Sequence, residues 1–166
     1  MEKTYYTNKS TVILLMYWLI LAFLVFMVGG MPFFMADEMS GGKLITFEVV
    51  FVIILFWFIR ILYQVYHMNY VINNGRLIIN GAFNKNTIHI QTIEEIKKSA
   101  IPFGVRLFGG SFIGGRYYLP GIGKAWIAMT NFKDGVLIRT RDQENYIITP
   151  QNPEDFVKNI NNLRSK

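Results

Sequence analysis

The stretch YIITPQNPEDF, residues 146–156, passes from one kind of secondary structure to another within a few positions. Tyr146, Ile147, Ile148 and Thr149 are aromatic or β-branched, the types that fit a pleated, half-buried strand. Asn152 is then a good N-cap, Pro153 suits a first helical position, and Glu154 and Asp155 face the positive end of the helix dipole. Phe156, Val157, Ile160 and Leu163 continue as one apolar stripe, with Lys158, Arg164 and Lys166 toward the far end. The pattern predicts one amphipathic helix over about 153–164. What precedes it decides what that helix caps.

Upstream, residues 67–149 read as short strands separated by turns. HMNYVI and RLIINGAF flank Asn73-Asn74-Gly75, where positive φ is tolerated, and form an expected hairpin. Asn84-Lys85-Asn86 is a second turn, and residues 125–132 and 136–141 flank a third at Lys133-Asp134-Gly135. About seven strands, mostly linked as hairpins, are expected. Antiparallel strands followed by a single helix make an α+β domain, the helix closing an open end of a β-barrel or sandwich.

Before residue 67 the chain is different. Residues 11–28 carry no charge, apolar character resumes over 31–35, and residues 44–63 contain only Glu48 and Arg60 as charges. Each run approaches the ~20 residues that cross a ~30 Å hydrocarbon core. The expected organisation is an N-terminal tail at 1–10, transmembrane helices at 11–35 and 44–66, a short external loop at 36–43, and a domain at 67–166. The first run exceeds a signal-peptide core and no A-x-A site follows it, so a retained anchor is expected. Asp37, Glu38 and one cation, Lys43, lie in the connector, whereas Lys3, Lys9, Arg60 and Arg76 flank the spans. That bias places both termini in the cytoplasm and the chain in the plasma membrane as a multi-pass protein.

At this point the sequence resembles a known family. The strand order ending in one helix is similar to the pleckstrin-homology fold, and the details resemble bacterial PH domains held behind membrane helices. VRLFGG (105–110), the glycine-spaced stretch to Gly121, AMTNFKDGVLIRT (128–140) and YIITPQNPEDF carry the likeness, which covers about 67–164. The resemblance implies a binding module rather than an enzyme. It does not carry over inositol-phosphate recognition, because the first turn holds a single cation, Arg76.

No catalytic, cofactor or metal site is expected. The chain has no cysteine and only His67 and His89 as histidines. LFGGSFIGGRYYLPGIGK (107–124) is glycine-rich, yet Gly123-Lys124 is followed by Ala125 and no phosphate-loop spacing is present. Residues 102–123 are instead expected to bend tightly and form one short extra strand pair. From His67 onward there are 13 Lys/Arg against 7 Asp/Glu, which accounts for the whole net charge of +6. No acid lies between Glu95 and Asp134, while Phe103, Phe108, Phe112 and Trp126 are interleaved with the cations. The candidate binding face is therefore Lys97, Lys98, Arg106, Arg116, Tyr117, Tyr118, Lys124, Arg139 and Arg141. The expected partners are a protein, a second copy among the candidates, or anionic lipid headgroups. Nucleic acid is not expected. The blander reading, aromatics inside the domain and solvated cations outside, stays open at this level. The alternative function is an accessory or regulatory subunit of a membrane transporter or envelope enzyme complex, for which Glu48, Gly29 and Gly30 would be the handles.

Overall fold

The computed structural model describes residues 2–35, 41–81, 85–111 and 114–165. It divides into two units: a helical one, Thr11–Tyr63, and a second built from Met1–Ser10 together with Gln64–Lys166.

The helical unit holds α1 (Thr11–Gly29), α2 (Met31–Met35) and most of α3 (Gly41–His67). At about 1.5 Å per residue, α1 spans about 28 Å and α3 about 40 Å. Both are long and apolar enough to cross a membrane. Their outward positions are apolar: Leu19 and Ile53 are each 63% exposed and Phe56 is 75% exposed. Inside the unit, the rings of Tyr17 and Phe58 meet at 5.4 Å. The expected first span, 11–35, is interrupted at Gly30. A Cβ at Gly30 would lie 2.9 Å from both the ring and the carbonyl oxygen of Phe26, so only glycine fits the turn between α1 and α2. Of the expected loop at 36–43, residues 36–40 fall outside the described residues and the remainder opens α3.

The second unit is an α+β sandwich with no closed barrel. One sheet has four antiparallel strands in the order β1-β2-β3-β4: Lys3–Tyr6, Asn69–Asn73, Arg76–Asn80 and Lys85–His89. The other has six strands: β5 (Ile93–Ser99), β6 (Val105–Ser111), β7 (Gly114–Leu119), β8 (Gly123–Ala128), β9 (Gly135–Thr140) and β10 (Asn145–Ile148). A final helix, α4 (Pro153–Arg164), follows them. The expected β2–β3 hairpin forms, with Asn74 at φ 47° and Gly75 at φ 71° in its turn. The helix cap also forms as expected: the Asn152 side chain accepts from the Asp155 amide at 3.2 Å.

Two features differ from the sequence expectation. Residues 3–6 are a strand, not a tail, because β1 pairs with β2 and places Tyr5 opposite Tyr70. Among the described residues β2–β10 make nine strands after residue 67, the expected seven or so plus the extra pair expected in 102–123, which forms the β6–β7 hairpin and joins it to β8. The second difference concerns the Lys133-Asp134-Gly135 turn, which does not close a hairpin. The order in this sheet is β5-β9-β10-β8-β7-β6, so β10 separates β8 from β9 and runs parallel to β8. The N-terminal segment holds the chain where it leaves β8: the Ser10 amide donates to Thr130 O at 2.9 Å, and Thr130 Oγ1 donates to Asn8 O at 2.9 Å.

The core lies between the sheets and under α4. Tyr70, Ile72, Leu77, Ile79 and Ile88 alternate inward from β2, β3 and β4 and are buried. Val136, Ile138 and Ile148 on the six-stranded sheet are fully buried, as are Phe156 and Ile160 of α4. The Phe156 ring meets Tyr5 edge-on at 4.9 Å and lies 6.3 Å from Tyr70. Tyr70 also joins the two sheets through its hydroxyl, which donates to Ala128 O at 2.8 Å and accepts from the Thr149 amide at 3.1 Å. Burial of that phenol pushes its pKa well above the ordinary tyrosine value.

Candidate binding face

Directly opposed residues on neighbouring strands share a face of their sheet. By register, Arg106 opposes Tyr117, Tyr117 opposes Ala125, Ala125 opposes Asn145, and Asn145 opposes Arg139. Arg139 in turn opposes Glu95, which is two residues from Lys97. Lys97, Arg106, Tyr117 and Arg139 therefore occupy one side. Lys98, Arg116, Tyr118 and Lys124 occupy the other, and Arg141 lies just past the end of β9. Eight of the nine candidate residues thus divide between two sides of one sheet, and Arg141 lies beyond it.

Their chemistry divides as well, along the sheet. At the β5–β9 end the cations meet carboxylates. Glu95 takes both Lys97 and Arg139, the latter at 3.0 Å, and Lys98 reaches Glu154 of α4 at 2.9 Å. The Lys97 ammonium, and then Arg139, hold the Glu95 carboxyl below the usual carboxylate range. Lys98 does the same to Glu154, which in return raises the lysine. At the other end the cations meet rings. The Arg116 guanidinium lies 5.5 Å from the Trp126 ring centroid, and Arg106 lies 5.9 Å from that of Tyr117. A π face attracts an arginine without supplying an opposing formal charge. Glu144 approaches Arg116 at 4.0 Å and accepts a short bond, 2.6 Å, from the Tyr146 hydroxyl. Burial, and then Glu144, raise the Tyr146 phenol. Arg141 donates its amide to Thr92 O at 2.9 Å, holding the end of β9 to the turn before β5.

Residues 100–104 link β5 and β6, the two outer strands of this sheet. Six residue steps reach about 20–22 Å at most. A flat sheet would separate its outer strands by five spacings, about 24 Å. The sheet must therefore curl, with the linker across its concave side. That side carries the cluster Leu119, Ala125, Ile127, Leu137 and Ile147, against which Ile101 packs. Gly104 permits the approach: a Cβ there would come within 2.5 Å of the Tyr118 carbonyl oxygen. A cavity of about 290 Å³ remains under the linker, lined by Ile101, Phe103, Tyr117, Leu119, Ile127 and Phe132.

The sequence reading did not single out Phe132, and it named Phe103 and Phe108 only among interleaved aromatics. They are 54%, 94% and 73% exposed, respectively. Nothing in the local pattern marks them as outward, because β6 is an outer strand and residue 103 lies in a crossing linker. Phe112 lies outside the described residues.

An α+β sandwich capped by one helix, with exposed rings and cations on an outer hairpin, defines a binding module of the pleckstrin-homology type. The sequence model of the bacterial PH domain family matches residues 68–164, more than half of the chain, and the chain belongs to that family. No curated protein and no solved structure matches it. Domains of this family are generally non-catalytic binding modules.

Proposed function

We propose that this chain is a non-catalytic binding module anchored in the plasma membrane by a helical hairpin, its PH domain and both termini on the cytoplasmic side. One observation carries the reading. Met1–Ser10 and Gln64–Lys166 belong to one unit, so the chain leaves for the apolar helices from the same domain to which it returns. The two segments are bonded together: the Asn8 amide donates to Thr149 O at 2.8 Å, and Lys9 Nζ donates to Tyr66 O at 3.0 Å. Helices whose outer ends both belong to one domain cross a bilayer an even number of times. The excess of cations flanking the spans then favours the cytoplasm for that domain.

The test uses the absence of native cysteine. Glu2→Cys and Lys158→Cys are introduced singly and treated with a membrane-impermeant maleimide. Both are expected to stay unlabelled in intact cells and to react after permeabilisation. Labelling of either one in intact cells would remove the topology.

A further inference from the structure

The six-stranded sheet ends in an outer strand, β6, that is unusually apolar for a surface. Val105 is 69% and Phe108 is 73% exposed, and Phe103, 94% exposed just before the strand, lines the cavity under the linker together with Phe132. Tyr118, across the β6–β7 hairpin from Val105, is also exposed. A patch of this kind on a surface marks an interaction site. What it meets is set by the charges around it. Arg106 follows Val105 on the opposite side of the outer strand, Arg116 opposes Phe108, Lys124 opposes Tyr118, and Lys133 follows Phe132. No carboxylate occurs in the sequence from 96 to 133. Three acids of the neighbouring strands and of α4 are engaged: Glu95 by Lys97 and Arg139, Glu154 by Lys98, and Glu144 by Arg116 and Tyr146. Asp134 lines a shallow pocket together with Phe132, Lys133 and Lys98, so two lysines accompany that carboxylate.

Bulky rings surrounded by cations match the layered chemistry of a lipid interface, where rings enter the headgroup–acyl boundary and Lys/Arg meet anionic headgroups. We propose that residues 103–108 together with Phe132 form a surface that inserts into the interface of an anionic leaflet. The inference rests on the membrane-anchored reading, since the hairpin keeps the domain near a bilayer and lets a weak surface affinity suffice. The surface is remote in sequence from the Asn74-Gly75 turn, and it uses bulk headgroup charge and apolar insertion in place of a pocket for one headgroup.

The experiment uses the full chain in nanodiscs of phosphatidylcholine, with and without phosphatidylglycerol, each made with or without brominated acyl chains. Single cysteines at Phe103, Phe108, Ile53 and Asn162 carry an environment-sensitive fluorophore. The expected result is bromine quenching at 53 in every disc, at 103 and 108 chiefly in discs with phosphatidylglycerol, and none at 162. Lys124→Gln with Lys133→Gln should reduce quenching at 103 without changing that at 53. Quenching at 53 but not at 103 or 108 overturns the insertion and leaves the anchor standing. Loss of quenching at 53 overturns the anchor itself, and the inference with it. Equal quenching at 103 with and without phosphatidylglycerol overturns the anionic requirement. A blue shift at 103 that lacks bromine quenching, and appears only in discs holding two copies, overturns it in favour of self-association.

Discussion

Phe56 in α3 and Phe156 in α4 are the same residue in opposite circumstances: one is 75% exposed and the other is fully buried. Both sit on helices, and both follow from the hydrophobic pattern of the sequence. α4 is amphipathic and has one side for the core, whereas α3 is apolar on all sides and has no polar side to offer water. The contrast shows that similar side chains end differently in the two units: one fills its own core, and the other keeps apolar side chains on its outer surface.

The largest expected effect tests that contrast directly. In detergent, Phe156→Ala should lower the unfolding free energy of the β-domain by about 3–5 kcal/mol, as large-to-small changes in packed cores do. Phe56→Ala should stay within about 0.5 kcal/mol, as surface changes do. Denaturant titration of the full chain measures both, and similar losses would break the comparison.

A second effect sharpens it at the N-terminus. Tyr5 is buried against Phe156, its hydroxyl donates to Asp155 Oδ2 at 3.0 Å, and the Asn159 side chain donates to it. Tyr5→Ala should cost the β-domain about 2–4 kcal/mol, through lost packing and unpaired polar groups. A change without measurable loss would return residues 1–10 to the status of a tail.

Tyr70→Phe keeps the ring and removes the hydroxyl that both sheets use. The Thr149 amide and the Ala128 carbonyl then lose a buried partner, at an expected cost of about 1–3 kcal/mol. Hydrogen exchange at the Thr149 amide should accelerate in step with the loss of stability.

The smallest effect is a pH dependence. Glu95, Glu154 and Asp155 titrate below their ordinary values, through Lys97, Lys98 and Lys3 respectively. A depressed carboxylate contributes stability above its unfolded pKa and loses it as pH falls through the folded one. Lys3 and Lys98 are raised, chiefly by Asp155 and Glu154. Their contribution is present below the ordinary lysine value of 10.5 and disappears as pH rises through the folded value. Melting temperature should therefore be flat near neutrality, falling in acid below the ordinary carboxylate range and again in strong alkali. Lys98→Met should flatten part of both limbs; an unchanged profile would show that the exposed pair is inert.

Much of this molecule could be read from local sequence. The Asn-Gly turn, the N-cap at Asn152, the stripe of α4 and the two apolar runs are each determined within a few residues by propensity and periodicity. The extra strand pair at 102–123 was also legible, because glycines there allow the bends. Partner choice among strands was less so. β8 and β9 are separated by a turn that looks like a hairpin, yet β10 lies between them. Where the chain leaves β8, Thr130 is bonded to Asn8 and Ser10, more than a hundred residues away in the chain. Lys3-Thr4-Tyr5-Tyr6 has a strand-like composition, but four residues before an apolar helix have no visible partner until β2 is placed beside them. The candidate face was legible as a set of cations and rings, since composition is additive. Its division into carboxylate-paired and ring-covered ends was not, because each pairing needs residues from strands far apart.

The sequence by itself determined the class of the domain, its single capping helix, the two apolar helices and the positive charge, because each is written in local pattern and composition. Tertiary structure decided that the N-terminal residues belong to the domain, that β10 runs between β8 and β9, and that Phe103, Phe108 and Phe132 face outward. The physical reason is one: burial and pairing are relations between distant residues, and a linear pattern fixes which side chains seek a partner without fixing which partner they find.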